Sequence, residues 1–254
     1  MEHSLLTQCV FEFLGTFVLL LLGNGVVANT ILNKTKGFNG GWVVITMGWG
    51  FGVMCGVFIA GSVSGAHLNP VVSLGFAIAG KMAWSAVPGY VLAQMLGGFA
   101  GALVVYAMYK DHYDVTEDQA TKLSTFATIP NIEGHKLRNL FTEAVGTWLL
   151  VFVILVFGCQ GNTACMEVDG GSVAIGLGSI GAFPVTALIM AIGMSLGGAT
   201  GYAINPARDL GPRIAHAILP IKGKGSSRWD YSWVPVLGPT IGAILAALMY
   251  IALY

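Results

Sequence analysis

The stretch SGAHLNPVVSLGFAIAG, residues 64–80, places a histidine, an asparagine and a proline between two strongly apolar segments. The same Asn-Pro pair returns in similar surroundings in TGYAINPARDLGPRI, residues 200–214. Asparagine caps free N–H groups at the start of a helix, and proline is tolerated in the first turn because it has no N–H to leave unpaired. We therefore predict two short helices over residues 70–79 and 206–219, which start at the boxes Asn69-Pro70-Val71 and Asn205-Pro206-Ala207.

The composition of the chain indicates an integral membrane protein. It is 55% hydrophobic and 9% charged, with a mean hydropathy of +0.75, whereas soluble domains carry about 25% charged residues. The formal net charge is zero, so no nucleic-acid partner is predicted. No cleavable signal is expected, because Glu2 precedes the first apolar segment and no small-residue cleavage site follows it.

Long apolar segments predict six transmembrane helices, each of roughly 20 residues or more against a hydrocarbon core of about 30 Å. They lie near residues 5–28, 41–62, 86–109, 137–159, 172–194 and 231–254. The helices at 70–79 and 206–219 are too short to cross and are predicted to be re-entrant half-helices. Glycines at helical spacing predict faces where helices approach closely: Gly48, Gly52 and Gly56, Gly97 and Gly101, and Gly238 and Gly242.

The two halves of the chain resemble each other. Glu12-x-x-Gly15-Thr16 recurs as Glu143-x-x-Gly146-Thr147, and Ser64-Gly65-x-x-x-Asn69-Pro70 recurs as Thr200-Gly201-x-x-x-Asn205-Pro206. Three full spans per half is an odd number, so the second half must be inverted in the membrane relative to the first. We predict a single transmembrane channel domain over residues 1–254, in which a first repeat, 1–109, and a second repeat, 137–254, flank a polar loop, 110–136, that lies in water.

Residues 64–68 and 199–204 are predicted to be non-helical backbone at membrane depth. Such backbone is tolerated only where it lines a polar cavity or is buried in protein. The duplication and the flanking glycines favour loops that face a wet lumen. The alternative is a kinked but continuous helix at each box.

The paired Asn-Pro boxes, the two E-x-x-G-T helix starts and the inverted halves resemble the aquaporin superfamily, also called major intrinsic proteins, over nearly the whole chain. Within it, SGAHLNP followed by NPARDLGP resembles the glycerol facilitators, whose marker is an aspartate after the arginine of the second box, here Asp209. The resemblance implies an all-α membrane protein with six transmembrane helices plus two re-entrant half-helices in an aquaporin-like right-handed bundle. It also implies a homotetramer with one pore per subunit, in the cell membrane, with both termini in the cytoplasm.

The resemblance further implies a selectivity filter formed by Trp49, Gly193, Tyr202 and Arg208. Trp49 and Tyr202 can offer apolar surface to the CH groups of a polyol, and Arg208 can donate to two adjacent hydroxyls. Gly193 lacks a side chain, which leaves room for a carbon backbone. The alternatives are a lipid-interface anchor for Trp49 and a lipid head-group contact for Arg208.

Two positions depart from the family pattern. Val71 stands where alanine is usual, and its larger side chain predicts that the half-helix tips sit slightly apart. Tyr202 stands where phenylalanine is common, so its hydroxyl adds a polar contact or takes up room. The basic residues also oppose the implied orientation, because the positive-inside rule predicts the reverse; with cytoplasmic termini, the outward-facing residues would be Lys34, Lys36, Lys122, Lys222, Lys224 and Arg228.

Below the filter, backbone carbonyls are expected to replace the water partners that a hydroxyl loses. The predicted acceptors are Gly65, Ala66, His67, Leu68, Ala199, Thr200, Gly201, Tyr202 and Ala203. At the midpoint, the amides of Asn69 and Asn205 are expected to donate to the passing oxygen. Glu12 and Glu143 are intramembrane carboxylates, and each is expected to brace a re-entrant loop by accepting backbone N–H groups; the alternative is a proton relay.

These features predict a passive channel for glycerol, related small neutral solutes and water that excludes ions and protons. Two half-helix dipoles, each of about half a charge, and the charge of Arg208 would oppose a cation. No enzyme, cofactor or metal site is predicted, because no nucleophile–base pair, phosphate loop or metal-ligand spacing occurs, and His67 reads as a hydrogen-bonded loop residue. The alternatives are a proton-coupled secondary transporter using Glu12 or Glu143, and a water-only channel.

Overall fold

The computed structural model describes residues 3–158, 165–168, 171–174 and 178–254. Its helices are Leu5–Ile31 (α1), Gly41–Ser64 (α2), Pro70–Ile78 (α3), Val87–Val115 (α4), Gln119–Ser124 (α5), Lys136–Phe157 (α6), Phe183–Leu196 (α7), Pro206–Ile218 (α8) and Val234–Leu253 (α9). An antiparallel hairpin pairs Cys165–Val168 (β1) with Gly171–Ala174 (β2). Within these ranges, five helices are long and apolar enough to cross a membrane, namely α1, α2, α4, α6 and α9.

The chain passes back and forth between two faces of the molecule. We call the face that carries residues 116–135 and 220–233 the long-loop face, and the opposite one the termini face. α1 ends on the long-loop face, where the N–H of Asn33 donates to Thr116 Oγ1 at 2.9 Å. α9 begins on that face, so the start of α1 and the end of α9 lie on the termini face. α6 starts where α1 ends, and corresponding helices of the two halves therefore run in opposite directions.

The two half-helices start at the Asn-Pro boxes, and each ends one residue before its predicted limit. Asn69 Oδ1 accepts the N–H of Val71 at 3.1 Å. Asn205 Oδ1 accepts the N–H groups of Ala207 and Arg208 at 2.9 and 3.2 Å. These bonds satisfy first-turn donors that have no partner within the helix, which allows both helices to begin in the interior.

The prediction of the fifth span, 172–194, is wrong at its start. Residues 171–174 belong to β2, and α7 has only 14 residues. A 3-10 turn at Gly178–Ala182 leads directly into α7, and the two together are about 31 Å long, enough to reach across the hydrocarbon core. The prediction failed because an apolar run alone does not distinguish a strand from a helix. The predicted end of the fourth span, residue 159, lies outside the described residues.

Glycines bring the helices of each half into close contact. A Cβ added at Gly97 of α4 would lie 2.5 Å from the carbonyl oxygen of Phe13 in α1. One added at Gly238 of α9 would lie 2.9 Å from the carbonyl oxygen of Leu140 in α6. Backbones can approach this closely only where no side chain intervenes, and this packing replaces the hydrophobic drive that lipid does not supply. The other glycines of the predicted faces also meet a neighbouring helix: Gly48, Gly52, Gly56, Gly101 and Gly242.

The polar loop 110–136 does not lie wholly in water, which corrects the prediction. Its first residues extend α4, and most of residues 122–128 are buried. Leu123 and Phe126 pack in one apolar cluster with Ala215 of α8. Composition did not predict this short buried segment, because charged residues lie on either side of it.

Candidate functional site

The two half-helices meet at their N-terminal ends. Asn69 Nδ2 donates to the carbonyl oxygen of Ile204 at 2.8 Å, and Asn205 Nδ2 donates to that of Leu68 at 2.8 Å. Each asparagine thus caps its own helix with its side-chain oxygen and holds the opposite loop with its side-chain nitrogen. An amide group has two N–H donors, and the described residues supply an acceptor for one donor of each asparagine.

Val71 does not prevent the asparagine bonds between the two loops, which form at 2.8 Å. Its side chain is buried in an apolar cluster with Val151 of α6 and Ala243 of α9. Because this cluster accommodates the valine methyls, the two asparagine bonds form at ordinary length. At the second box, the carbonyl of Ala207 lies against α4, where a Cβ added at Gly98 would be 2.6 Å from its oxygen.

The loops before the two boxes share an unusual backbone conformation. In each loop, three residues at corresponding positions have positive φ angles, which strain a non-glycine residue by about 1–3 kcal/mol. They are Gly65 (83°), Ala66 (51°) and Leu68 (53°) in the first loop, and Gly201 (82°), Tyr202 (37°) and Ile204 (43°) in the second. The matching conformations extend the sequence repeat to the backbone, and other contacts must hold both loops in place.

Two buried carboxylates supply these contacts. Glu12 of α1 accepts the N–H groups of His67 and Leu68 at 2.8 and 2.7 Å. Glu143 of α6 accepts the N–H groups of Ala203 and Ile204 at 2.9 and 2.8 Å. Neither glutamate is more than 1% exposed. Each carboxylate therefore satisfies two donors of one loop that has no helix or strand to pair them.

Most of the predicted carbonyl acceptors are left without a donor from the described residues. This group consists of Gly65, Ala66, His67, Thr200, Gly201, Tyr202 and Ala203. Two predicted acceptors differ, because the carbonyl of Leu68 accepts Asn205, and that of Ala199 accepts the N–H of Asn131 at 3.2 Å. Both are therefore already engaged within the protein.

A cavity of about 180 Å³ lies along these loops. Its lining includes both box asparagines and residues 65–68 and 202–204. The rest of the lining is mostly apolar and comes from neighbouring helices: Leu19, Val53, Val57, Leu150, Ile154 and Ile189. The cavity thus combines hydrogen-bonding backbone with a wall that cannot hold a polar solute.

Trp49 and Arg208 contact each other at one end of this cavity. The guanidinium carbon of Arg208 lies 4.1 Å from the centre of the Trp49 ring, a cation–π arrangement. Both side chains are buried, so the lipid-anchor and head-group alternatives are wrong. Trp49 Nε1 and Arg208 Nη1 have no hydrogen-bond partner within the described part of the chain. These buried donors are suited to a solute that carries oxygen.

Gly193, which was predicted to belong to the filter, does not line the cavity but packs against a residue that does. A Cβ added there would lie 2.8 Å from Tyr202 Cζ and 2.8 Å from Thr46 Cγ2. The space that the missing side chain leaves is therefore taken by the Tyr202 ring rather than by open lumen. A larger residue at position 193 would displace this ring.

Trp42 contacts two of the predicted filter residues and was not itself predicted. Its Nε1 donates to the carbonyl oxygen of Gly193 at 2.9 Å, and its ring packs edge-on against Tyr202 with centroids 5.8 Å apart. The sequence signal was a second tryptophan seven residues before Trp49, which is two helical turns and the same face of α2.

Asp209 lies at the centre of a buried polar cluster. It forms a fully buried ion pair with Arg213 at 2.8 Å, and its carboxylate accepts the N–H and the hydroxyl of Thr128, each at 2.7 Å. Arg213 in turn donates to the carbonyl oxygens of Thr128 and Ser227 at 2.8 and 2.7 Å. The cluster therefore fastens both long loops to α8. The partners were missed because Thr128 and Ser227 lie far from Asp209 in the chain, and Arg213 lies one turn beyond it, outside the box motif.

Charged residues surround the outer edge of the long-loop face. Arg228 donates to both carboxylate oxygens of Glu133 at 2.7 and 2.9 Å and to Asp230 at 3.1 Å. These bonds hold the pKa of Glu133 and of Asp230 below their ordinary values. Their contribution to stability is present above the unfolded-state pKa and is lost as pH falls through the lowered values, so these two carboxylates are ionised and paired with Arg228 at neutral pH.

His67 is a hydrogen-bonded loop residue. Its Nδ1 lies 2.9 Å from Ser73 Oγ, and its ring packs against Phe76 and Tyr90. Across the described residues, no group of three or more histidine, cysteine and acidic side chains is placed to hold a metal ion.

Membrane-crossing helices, two half-helices that meet in the interior and a carbonyl-lined cavity define a membrane channel with the aquaporin fold. A family model described as Major intrinsic protein matches residues 1–250. The chain belongs to the major intrinsic protein family, whose members are channels and not enzymes.

The relatives of the chain carry more specific descriptions. It is 51% identical over 250 residues to glycerol uptake facilitator protein 3 of Lactiplantibacillus plantarum, covering 98% of each chain. It is 48% identical over 239 residues to the glycerol uptake facilitator protein of Streptococcus pneumoniae, covering 94% of this chain and 96% of that protein. The X-ray structure of the aquaglyceroporin from Plasmodium falciparum superposes with a TM-score of 0.82 at 33% identity, covering 97% of this chain and 96% of that one.

Asp209→Asn tests the buried cluster. We expect it to destabilise the folded protein by about 3–5 kcal/mol, because it leaves Arg213 buried without its counter-charge. Asp230→Asn is the matched control and should change stability by about 1 kcal/mol or less, since exposed pairs contribute little. Thermal unfolding of both variants in detergent, followed by size-exclusion chromatography, measures the difference. Equal losses would contradict the role given to Asp209.

Proposed function

We propose that the chain is a passive channel that conducts glycerol, related small neutral solutes and water, and excludes ions and protons. The observation that carries the proposal is that the N–H groups and the carbonyls of the two loops differ in their hydrogen bonding. Glu12 and Glu143 accept N–H groups of the loops, whereas most of the loop carbonyls beside the apolar-walled cavity have no donor among the described residues. The named relatives support glycerol as the solute.

A polyol fits this combination of surfaces. Its hydroxyl groups can donate to the free carbonyls in sequence, which offsets the loss of water, and its CH groups can contact the apolar wall. At the constriction, Trp49 Nε1 and Arg208 Nη1 can donate to hydroxyl oxygens, because neither has a partner within the described residues. The apolar wall keeps binding weak, which rapid permeation requires.

Cations meet an unfavourable field in the same place. The N-terminal ends of α3 and α8 both lie at the asparagine pair, and each contributes a positive end of about half a charge. Arg208 adds a full charge close to the second box. An ion that has lost its hydration shell gains no carboxylate partner here, because both glutamates are engaged by backbone N–H groups.

These same bonds argue against a proton-coupled transporter. A relay carboxylate must exchange its proton with a solute or with water, yet Glu12 and Glu143 are buried and occupied by two loop donors each. Protonation would remove acceptor capacity and release a strained loop. Both residues are better suited to bracing.

Glycerol uptake into proteoliposomes tests the proposal. We expect purified protein to raise glycerol permeability well above that of empty vesicles, with a rate that rises linearly with concentration and is unaffected by a proton uncoupler. Planar bilayers containing the same protein should carry no KCl current. Saturable flux that collapses with the uncoupler would identify a transporter, and water flux without glycerol flux would identify a water-only channel.

Gly193→Ala tests the constriction. The added methyl would lie 2.8 Å from Tyr202 Cζ, so the ring must move. We expect glycerol permeability to fall about tenfold, the lower end of the discrimination that one methylene can produce, while water permeability changes less. Gly198→Ala is the matched control, since an added Cβ there meets nothing within 4 Å. Stopped-flow light scattering compares the two solutes, and equal effects of both variants would exclude this role for Gly193.

We also propose a homotetramer in the cell membrane with cytoplasmic termini. This orientation places many cations outside, and several of them have structural roles that account for their position. Lys224 donates to the carbonyl oxygens of His216 and Ala217 at the end of α8 at 2.8 and 2.7 Å, and Lys122 donates to the carbonyl of Lys222. Lys224 thus satisfies helix-end carbonyls, and Lys122 satisfies a loop carbonyl. A count of charges does not register either role.

Labelling of whole cells tests the orientation. A membrane-impermeant thiol reagent should label Lys222→Cys, on the long-loop face, and should not label a cysteine added after Tyr254. Permeabilised cells, in which both positions should react, are the control. The reverse pattern in intact cells would show that the termini lie outside. Native mass spectrometry of the purified protein measures the number of subunits.

A further inference from the structure

Trp42 connects the end of α7 to the start of α2. It lies in the first turn of α2, and its Nε1 donates to the carbonyl oxygen of Gly193 at 2.9 Å. The same oxygen accepts the N–H of Gly197 at 3.2 Å, where α7 ends. The Gly193 carbonyl therefore has two donors, a 3.2 Å bond from α7 itself and a shorter bond from the Trp42 indole. The indole bond links α2 to α7 at this level.

Tyr202 is seated between Trp42 and two glycines of α7. Gly193 and Gly197 are four residues apart and so lie on one face of the helix. A Cβ at Gly197 would lie 2.5 Å from Tyr202 Cδ1 and 2.9 Å from Trp42 Cζ2, so both rings meet at this bare position. The Trp42 ring stands at 79° to the Tyr202 ring, an edge-to-face contact.

Packing alone positions the Tyr202 ring. Its hydroxyl is buried and has no hydrogen-bond partner among the described residues, so no polar bond holds the ring. Its backbone has a φ of 37°, in the left-handed region that a tyrosine adopts only under constraint. Removing one of the surfaces against which the ring packs should therefore let it move.

We propose that Trp42 is a positioning residue that sets the width of the constriction through Tyr202, and thereby the largest solute that passes. It does not line the cavity between the loops. It lines a wider pocket on the long-loop face together with Gly197 and Gly201, and its effect on solute size is exerted through the ring that it holds. The inference rests on the proposed function, because width is meaningful only for a chain that conducts polyols. A simpler role as a lipid-interface anchor would leave solute size limits unchanged.

Two substitutions separate the contributions of Trp42. Trp42→Phe removes the N–H bond to Gly193 and keeps an aromatic edge, whereas Trp42→Ala removes both. Trp84→Ala is the matched control, because Trp84 is 58% exposed at the opposite face and lines no described cavity. Each variant is reconstituted, and permeability to water, glycerol and the four-carbon polyol erythritol is measured by stopped-flow light scattering.

We expect the erythritol-to-glycerol permeability ratio to rise about tenfold in Trp42→Ala, less in Trp42→Phe, and not at all in Trp84→Ala. Unchanged ratios in both Trp42 variants, with proteins that elute as folded oligomers, would overturn the inference. If Trp42→Ala does not fold, the ratio in Trp42→Phe decides. Wild-type protein without glycerol flux would instead refute the proposed function, so the two failures are distinguishable.

Discussion

Hydrogen bonds between two loops at membrane depth are the constraint on which the structure depends. Asn69 and Asn205 each donate a side-chain N–H to a carbonyl of the opposite loop at 2.8 Å. Water cannot replace such a partner inside a bilayer, so losing either bond would leave a buried donor and acceptor unpaired. The same side chains cap the half-helices, so one pair of residues starts both helices and joins the two halves of the chain. The positive ends of the two helix dipoles therefore meet at this pair.

The carbonyl-lined path follows from how the loops are held. In a helix or a sheet, the N–H groups of one segment consume the carbonyls of another. Here Glu12 and Glu143 take N–H groups of the loops, so the carbonyls are not needed to pair them. The strained backbone that results is stable only because these buried carboxylates and the asparagine pair hold it from both ends. The carbonyl-lined cavity thus depends on two buried carboxylates in the core of the protein. These carboxylates face the loop N–H groups and not the cavity carbonyls.

The surroundings of the Tyr202 ring depend on side chains that are absent as much as on those that are present. Gly193 and Gly197 leave a bare surface on α7, and Tyr202 fills it while Trp42 packs against its ring. The position of one unbonded ring then depends on two neighbouring helices. This dependence is the physical basis for the proposal that residues outside the cavity influence which solutes pass.

The sequence by itself determined the elements that obey local rules. The Asn-Pro boxes define helix starts, the duplicated motifs define the repeat, and glycine spacing defines close helix faces, because each depends on residues within a few turns. Only the tertiary structure decided that Val71 fits without preventing the asparagine bonds, that residues 122–128 are buried, and that Trp42 and Arg213 belong to the site. Those features depend on which distant atoms meet in three dimensions, and neither composition nor periodicity contains that information.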